Sequence, residues 1–325
     1  MKIIITGGAG FIGSNLTNRL LKDEKNHILS LDNFFLGREK YVQPFYKSPN
    51  YRFKKQELLD LPDLKKTFED FRPDVIWHLA ANSDISLGTK FTDFDLKGGP
   101  LVTYNVLESM RLSQCKKIVF TSSGAIYGEP LIQPTPENYG PLIPISLYGA
   151  SKLGAEALVA SYAHSFNMQA WIFRFGNIIG SNSTHGVIHD FMKRLMDNRS
   201  ELLILGDGLQ TKPYIHVNEC IDGMLCVIEK TNANVNIYNL STESSTTVVE
   251  IANKVIGIMG INQSECQFRF TGGSRGWKGD IPLSSLDITK ISSLGWKTKL
   301  SSDDAVELAA SQIFNQMNLG IHHDY

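Results

Sequence analysis

The chain has 325 residues, with 32 Lys and Arg against 33 Asp and Glu, so its formal charge is −1; 42% of its residues are hydrophobic and 20% are charged. That length makes about two lobes, and the composition excludes a disordered, collagen-like or disulfide-stapled chain. The near-neutral balance provides no broad basic field for nucleic acid and no polybasic patch for an acidic membrane.

Lys2–Thr6 reads as a buried strand, and Phe11–Leu21 as a helix with Phe11, Ile12, Leu16, Leu20 and Leu21 on its apolar face. Further strands are expected at His27–Leu31, Tyr51–Lys55, Val75–Leu79, Lys117–Thr121 and Gln169–Phe173, separated by helices over Leu61–Phe71, Leu101–Met110 and Leu147–Phe166. This alternation implies right-handed βαβ units and an α/β architecture, a Rossmann-type doubly wound parallel sheet covered on both faces. From Asn177 onward the elements shorten: strands at Leu202–Leu205, Tyr214–Val217, Asn236–Leu240 and Gln267–Phe270, and helices near Asn218–Glu229, Val248–Met259 and Asp303–Met317. The expected organisation is a Rossmann domain over 1–176 and a smaller α/β substrate lobe over 177–325, with 206–232 returning to the first domain.

Cys115, Cys220, Cys226 and Cys266 are scattered, without a CxxC pair or a His at metal spacing, and read as reduced thiols. No metal site is expected, and the His322-His323 pair is too short to form one. The short apolar run at Met1–Ile5 enters a glycine-rich turn and does not make a signal peptide, and no later run reaches the ~20 residues of a membrane span. A cytoplasmic address is the expectation.

Thr6-Gly7-Gly8-Ala9-Gly10-Phe11-Ile12-Gly13 lies between the first strand and the first helix. Gly7, Gly10 and Gly13 suit a tight turn, a close backbone approach to a pyrophosphate and close helix–strand packing, and the helix N-terminus favours the anion. Asp32 ends the second strand, where a carboxylate accepts the adenosine ribose hydroxyls and repels a 2′-phosphate. NAD is therefore expected rather than NADP. Tyr148 and Lys152 stand at i and i+4 on one helix face, where a nearby ammonium favours the phenolate form of a group that is otherwise a poor base. Ser123, in Thr121-Ser122-Ser123-Gly124-Ala125-Ile126-Tyr127-Gly128 at the end of the fifth strand, can hydrogen-bond the substrate oxygen that exchanges the proton.

With these motifs, and with His78-Leu79-Ala80-Ala81, Arg174-Phe175-Gly176-Asn177, Tyr214-Ile215-His216-Val217 and Gly276-Trp277-Lys278-Gly279-Asp280, nearly the whole chain resembles the extended short-chain dehydrogenase/reductase superfamily, and within it the nucleotide-sugar epimerases of the UDP-glucose 4-epimerase kind. The resemblance implies oxidation of a sugar 4-hydroxyl to a 4-keto intermediate, rotation of that intermediate, and reduction on the other face. Tyr148 is then base and acid, Lys152 tunes it and holds the nicotinamide ribose, and Ser123 orients the 4-oxygen. Cofactor contacts are implied for Gly7, Gly10, Phe11, Ile12, Gly13, Asp32, Asn33, Glu57, Leu58, Leu79, Ala80, Ala81 and Phe175; substrate contacts for Ser83, Asn177, His185, Val187, Lys212 and Arg275, the last two facing the diphosphate. Trp277 is a candidate cover for the nucleotide. The implied substrate is a nucleotide sugar, UDP-linked, and the implied assembly a homodimer through the helices at 101–110 and 147–166.

The chain departs from the family in places. Glu57 stands where an Asp commonly touches adenine, Gly99-Pro100 replaces a common Asn-Val, and Lys212 replaces an Arg. Ser284 falls near a position where a bulky Tyr excludes N-acetyl sugars. Gly124 and Ala125 occupy the positions of the Asp-Glu pair of the 4,6-dehydratases, which disfavours dehydration. C2 epimerisation, 4-keto reduction and non-catalytic dinucleotide sensing are the competing expectations.

Overall fold

The structure is a computed structural model and describes residues 1–83, 85–276, 281 and 284–319; Trp277, Lys278, Gly279, Asp280, His322 and His323 lie outside them. Strand β1 (Lys2–Thr6) carries Ile3, Ile4 and Ile5, all fully buried, as a strand covered on both faces requires. Helix α1 (Phe11–Leu20) leads through β2 (His27–Asp32) and β3 (Tyr51–Lys55) to α2 (Leu61–Phe71), which Asp60 caps by accepting Asp63 N at 3.2 Å. After β4 (Val75–His78) come two short helices, α3 (Ile85–Lys90) and α4 (Asp93–Leu96), and a π turn over Lys97–Leu101. The helix expected at 101–110 therefore starts one residue later, as α5 (Val102–Leu112), because Pro100 has no N–H to donate and the turn before it widens. Strand β5 (Lys117–Ser123), helix α6 (Leu147–Ser165) and strand β6 (Gln169–Phe175) follow.

Beyond them lie β7 (Asn177–Ile179), α7 (Val187–Asp197), β8 (Glu201–Ile204), β9 (Thr211–Lys212), β10 (Tyr214–His216), α8 (Val217–Lys230), β11 (Val235–Leu240), β12 (Thr246–Thr247), α9 (Val248–Ile258), β13 (Gln267–Phe270), α10 (Thr289–Ser292) and α11 (Ser302–Asn318). α7 adds to the expected elements; it buries Ile188, Phe191, Met192 and Leu195 along one stripe.

The seven-stranded sheet has the order β11-β6-β5-β4-β1-β2-β3. Its central pairs run parallel, as in Ile3 opposite Ile28 and Val75, and Thr121 opposite Phe173. The order reverses between β1 and β4, and open sheets of this kind place their ligand crevice at the carboxyl ends beside that reversal. Two expectations are corrected here. The strand at Asn236–Leu240 belongs to this sheet rather than to the small lobe, and Tyr214–Val217 does not return to it: Tyr214–His216 pairs with Asn177–Ile179 instead. Period-two patterning marks a strand without naming its neighbour, and α8 supplies the crossover that delivers β11.

Two compact units result. The first comprises Met1–Gly128, Gly140–Phe175 and Met224–Tyr238, and the expected return over 206–232 overlaps it at 224–232. Its core holds Ile4, Leu31, Phe68, Ile76, Val106, Phe120 and Ile172. The second comprises Glu129–Tyr139, Gly176–Gly223 and Asn239–Tyr325. It packs Phe191, Leu195, Ile251, Val255, Val306 and Ala309 from α7, α9 and α11, and α9 and α11 both open on capping boxes, Thr247/Glu250 and Ser301/Asp304. Among the described residues no helix is long and apolar enough to cross a membrane.

Candidate active site

The glycine turn is shaped by contacts that a side chain would obstruct. Gly7 has φ +71°, and a Cβ on Gly13 would lie 2.1 Å from the Gly7 carbonyl oxygen. Helix α1 starts at Gly10 with no side-chain cap and no acidic residue in its first turn, which leaves its leading N–H groups to an anion. Asp32 is buried at the end of β2; its Oδ2 accepts Ala9 N at 3.0 Å and its Oδ1 accepts Phe34 N at 2.8 Å. The carboxylate keeps lone-pair capacity for a hydroxyl. Burial pushes the Asp32 carboxyl above the usual carboxylate range, and the amides of Phe34, Ala9 and Asn33 pull against it. Asn33 donates to Glu57 Oε2 at 2.9 Å, so the Glu57 substitution stays at the carboxyl edge beside Asp32. Leu58 is buried, and its carbonyl accepts Asn105 Nδ2 at 2.8 Å. Leu79, Ala80 and Ala81 are half-buried where the chain leaves β4, with Leu79 N on the Thr6 carbonyl at 3.2 Å.

Beneath that edge His78 is buried between two hydroxyls, with Nδ1 2.7 Å from Thr6 Oγ1 and Nε2 3.0 Å from Thr103 Oγ1. Burial first, and the Lys152 charge second, lower its pKa to about 3, so the ring is neutral at physiological pH.

Helix α6 begins at the cap Ser146, whose hydroxyl accepts Gly149 N at 3.0 Å. A Cβ on Gly149 would lie 2.7 Å from the Ala125 carbonyl, so this glycine lets the first turn of α6 press on the bend after β5. That contact brings Tyr148 beside Ser123, whose hydrogen bond lowers the phenol's pKa against a larger rise from burial. Lys152 is only 5% exposed; its Nζ donates to the Thr121 carbonyl at 2.8 Å and lies 5.9 Å from the Tyr148 ring centroid. Burial lowers its pKa to about 8, and the Asp95 carboxylate opposes that fall. The three residues expected to carry the chemistry thus stand together at the carboxyl end of β5. Ser123 also caps the following turn by accepting Ala125 N at 3.2 Å.

One helical turn beyond Lys152, Glu156 accepts Ser122 Oγ at 2.7 Å and pairs with Arg174 at 2.6 Å, and Arg174 donates to Tyr127 Oη at 2.9 Å. This buried network ties α6 to the ends of β5 and β6, the latter closing on Phe175, which is buried.

Ser83 is exposed in the loop after β4. Asn177, His185, Val187, Lys212 and Arg275 fall in the second unit. Asn177 Nδ2 donates to the Pro213 carbonyl at 3.2 Å, beside Lys212. His185 is exposed, with Nδ1 3.2 Å from Thr184 Oγ1, and Val187 opens α7 behind Gly186 at φ +102°. Arg275 is ion-paired with Glu129.

A protein-family model described as the NAD dependent epimerase/dehydratase family matches residues 3–241. The chain belongs to this family. It is 29% identical to the UDP-glucose 4-epimerase of Mycolicibacterium smegmatis over 94% of this chain and 96% of that protein. It is 26% identical to the dTDP-D-glucose 4,6-dehydratase of Homo sapiens over 94% of this chain and 88% of that protein. Its fold matches the UDP-glucuronic acid 4-epimerase of Bacillus cereus, solved with UDP-glucuronic acid and NAD, with a TM-score of 0.85 and 27% identity over 97% of this chain and 99% of that chain. As an epimerase/dehydratase of the extended short-chain dehydrogenase/reductase type, the chain takes NAD as its cofactor, and the glycine cradle and the Asp32 lone pairs fit that dinucleotide.

Three groups at the site escape the sequence reading. His78 lies inside a recognised motif, but only its position between Thr6 and Thr103 reveals a neutral, buried ring. Glu156, at i+4 from Lys152, is legible as a same-face neighbour, yet nothing in the sequence pairs it with Arg174. Asp95 sits in an acidic, outwardly unremarkable helix and is buried.

Proposed function

We propose that this family member is a 4-epimerase of a nucleotide-activated hexose, UDP-linked, in which Tyr148 moves the proton of the sugar 4-hydroxyl. The observation that carries the reading is the grouping of Ser123, Tyr148 and Lys152 with Gly124 and Ala125 directly after Ser123. A glycine and an alanine offer no acid or base to a C5 proton or a C6 hydroxyl, which disfavours dehydration.

NAD, when bound, supplies the hydride acceptor and a positively charged ring that favours the phenolate. Tyr148 then takes the 4-hydroxyl proton while Ser123 holds the same oxygen, and Lys152, fixed on the Thr121 carbonyl, stabilises the phenolate charge. Tyr148 returns the proton once the keto sugar has presented its opposite face. Asp32, Asn33, Glu57 and the glycine turn hold the adenosine and pyrophosphate, and Phe175 abuts the nicotinamide. In the second unit Asn177, Lys212 and Arg275 take the diphosphate, with Arg275 exchanging Glu129 for phosphate oxygens. Ser83, His185 and Val187 contact the rest of the substrate. Two copies associate through α5 and α6, where Tyr104, Leu112 and Leu147 are exposed large hydrophobic side chains, as are Leu101 and Phe166 at the helix ends; sedimentation at the monomer mass refutes the dimer.

The test is incubation with UDP-glucose, UDP-galactose and their N-acetyl and uronic forms, with products assigned by NMR. Inversion at C4 alone supports the reading. Inversion at C2, a 4-keto-6-deoxy product from a nucleotide glucose, or no turnover across the panel overturns it.

A further inference from the structure

Asp95 is a carboxylate that the mechanism above leaves unused, and it is 3% exposed. Its Oδ1 accepts Asn82 Nδ2 at 3.0 Å, whereas Oδ2 has no hydrogen-bond partner among the described residues. The fit around that oxygen is close: a Cβ on Gly88 would lie 1.9 Å from Oδ2, so only a glycine at this point of α3 leaves room for it. The Asp95 backbone is tied to the catalytic helix, because Ser151 Oγ donates to its carbonyl at 2.7 Å. The π turn that follows completes the docking. A Cβ on Gly99 would lie 1.8 Å from Ser151 Oγ, and the Pro100 ring is 3.3 Å from the place a Cβ on Gly154 would take. The loss of a side chain at 99 is therefore what lets α6 sit against the segment that carries Asp95.

A buried carboxylate oxygen without a donor is costly unless a nearby charge compensates it. Burial pushes the Asp95 carboxyl above the usual carboxylate range, and the Asn82 amide and the Lys152 charge pull against that rise. Among the described residues, the titratable groups it bears on are Lys152 and Tyr148 on α6, with His78 kept neutral by its own burial; on its own segment, Asp93 and Lys97 pair with each other at the surface at 2.6 Å. Resting on the epimerase reading for the identity of the base, we propose that Asp95 is a positioning residue of this site: a fixed negative charge that keeps the Lys152 ammonium protonated on the Thr121 carbonyl. Lys152 needs that support, since burial brings it down to about 8 even with Asp95 opposing the fall. The same charge raises Tyr148, so its removal lowers both groups together.

The test uses the NAD-bound enzyme and Asp95→Asn, which keeps the shape and removes the charge. Tyr148 is titrated by ultraviolet difference absorbance against Tyr148→Phe, a readout that needs no substrate, and kcat is profiled against pH. With Asp95→Asn the phenol midpoint moves to lower pH by about half a unit or more, and both limbs of the kcat profile move the same way. Asp95→Ser, too short to press on Gly88, carries the same expectation if the asparagine variant does not fold. Unchanged midpoints with only a lower rate or stability make Asp95 a packing residue and overturn the proposal. A shifted phenol midpoint in an enzyme that turns over no nucleotide sugar supports it while refuting the epimerase reading.

Discussion

Glu156 on α6 and Arg174 on β6 meet at 2.6 Å with 7% and 4% of their side chains exposed. Neither is placed on substrate, yet their ion pair fixes the helix that carries Lys152 one turn earlier. Glu156→Ala or Arg174→Ala leaves one buried charge uncompensated, and the expected loss is about 3–5 kcal/mol in urea unfolding. Glu156→Leu with Arg174→Met removes both charges, and its loss is expected to be smaller than either single truncation. Equal losses for the single and double variants count against this account.

Tyr148→Phe keeps the ring and removes the proton carrier. The variant is expected to fold, to retain NAD, and to lose about 100-fold or more in kcat. Circular dichroism, bound-nucleotide analysis and steady-state rates check the three parts separately. A rate near that of the wild type rules Tyr148 out as the base.

Gly13→Ala places a methyl group 2.1 Å from the Gly7 carbonyl oxygen, backbone that cannot step aside cheaply. Overpacking of this kind costs about 1–3 kcal/mol, and the displaced turn is expected to lose NAD on gel filtration. Gly257→Ala in α9 is the matched control, because nothing lies within 4 Å of its added Cβ. It is expected to leave NAD retention unchanged.

His78 makes the fold acid-sensitive. Its pKa falls from 6.5 to about 3 on burial, so the unfolded chain binds a proton between those values that the folded chain refuses. Its stabilising effect is complete above pH 6.5 and declines as pH falls toward 3, by about 1.4 kcal/mol per unit in the middle of that window. Urea midpoints measured from pH 7 to pH 4 are expected to drop, and His78→Gln to drop less steeply from its own pH 7 value. Parallel slopes exclude His78 as the source.

The central sheet was legible because buried parallel strands are short, apolar and spaced by amphipathic helices. Strands at Lys2–Thr6 and Tyr51–Lys55 coincide with their expected spans. Partnership was less legible: β11 and β10 were recognisable as strands, but their neighbours depend on where a helix delivers the chain. The segment from Ile85 to Leu101 resisted reading because two short helices and a π turn have no sustained period. The glycine turn, Asp32, Ser123, Tyr148 and Lys152 were nameable since each residue type answers to one chemical task at one strand end. Asp95 was not, because a carboxylate's burial depends on what Gly88, Asn82 and Ser151 leave around it.

The edge strand β11 reaches its place beside β6 only after the chain has travelled through β7, α7, β8, β9, β10 and α8. During synthesis β6 must therefore wait, its backbone amides open to any passing strand, until Leu240 has left the ribosome. Translation stalled or cleaved before that point releases a chain with an uncovered sticky margin, a natural substrate for chaperones and proteases.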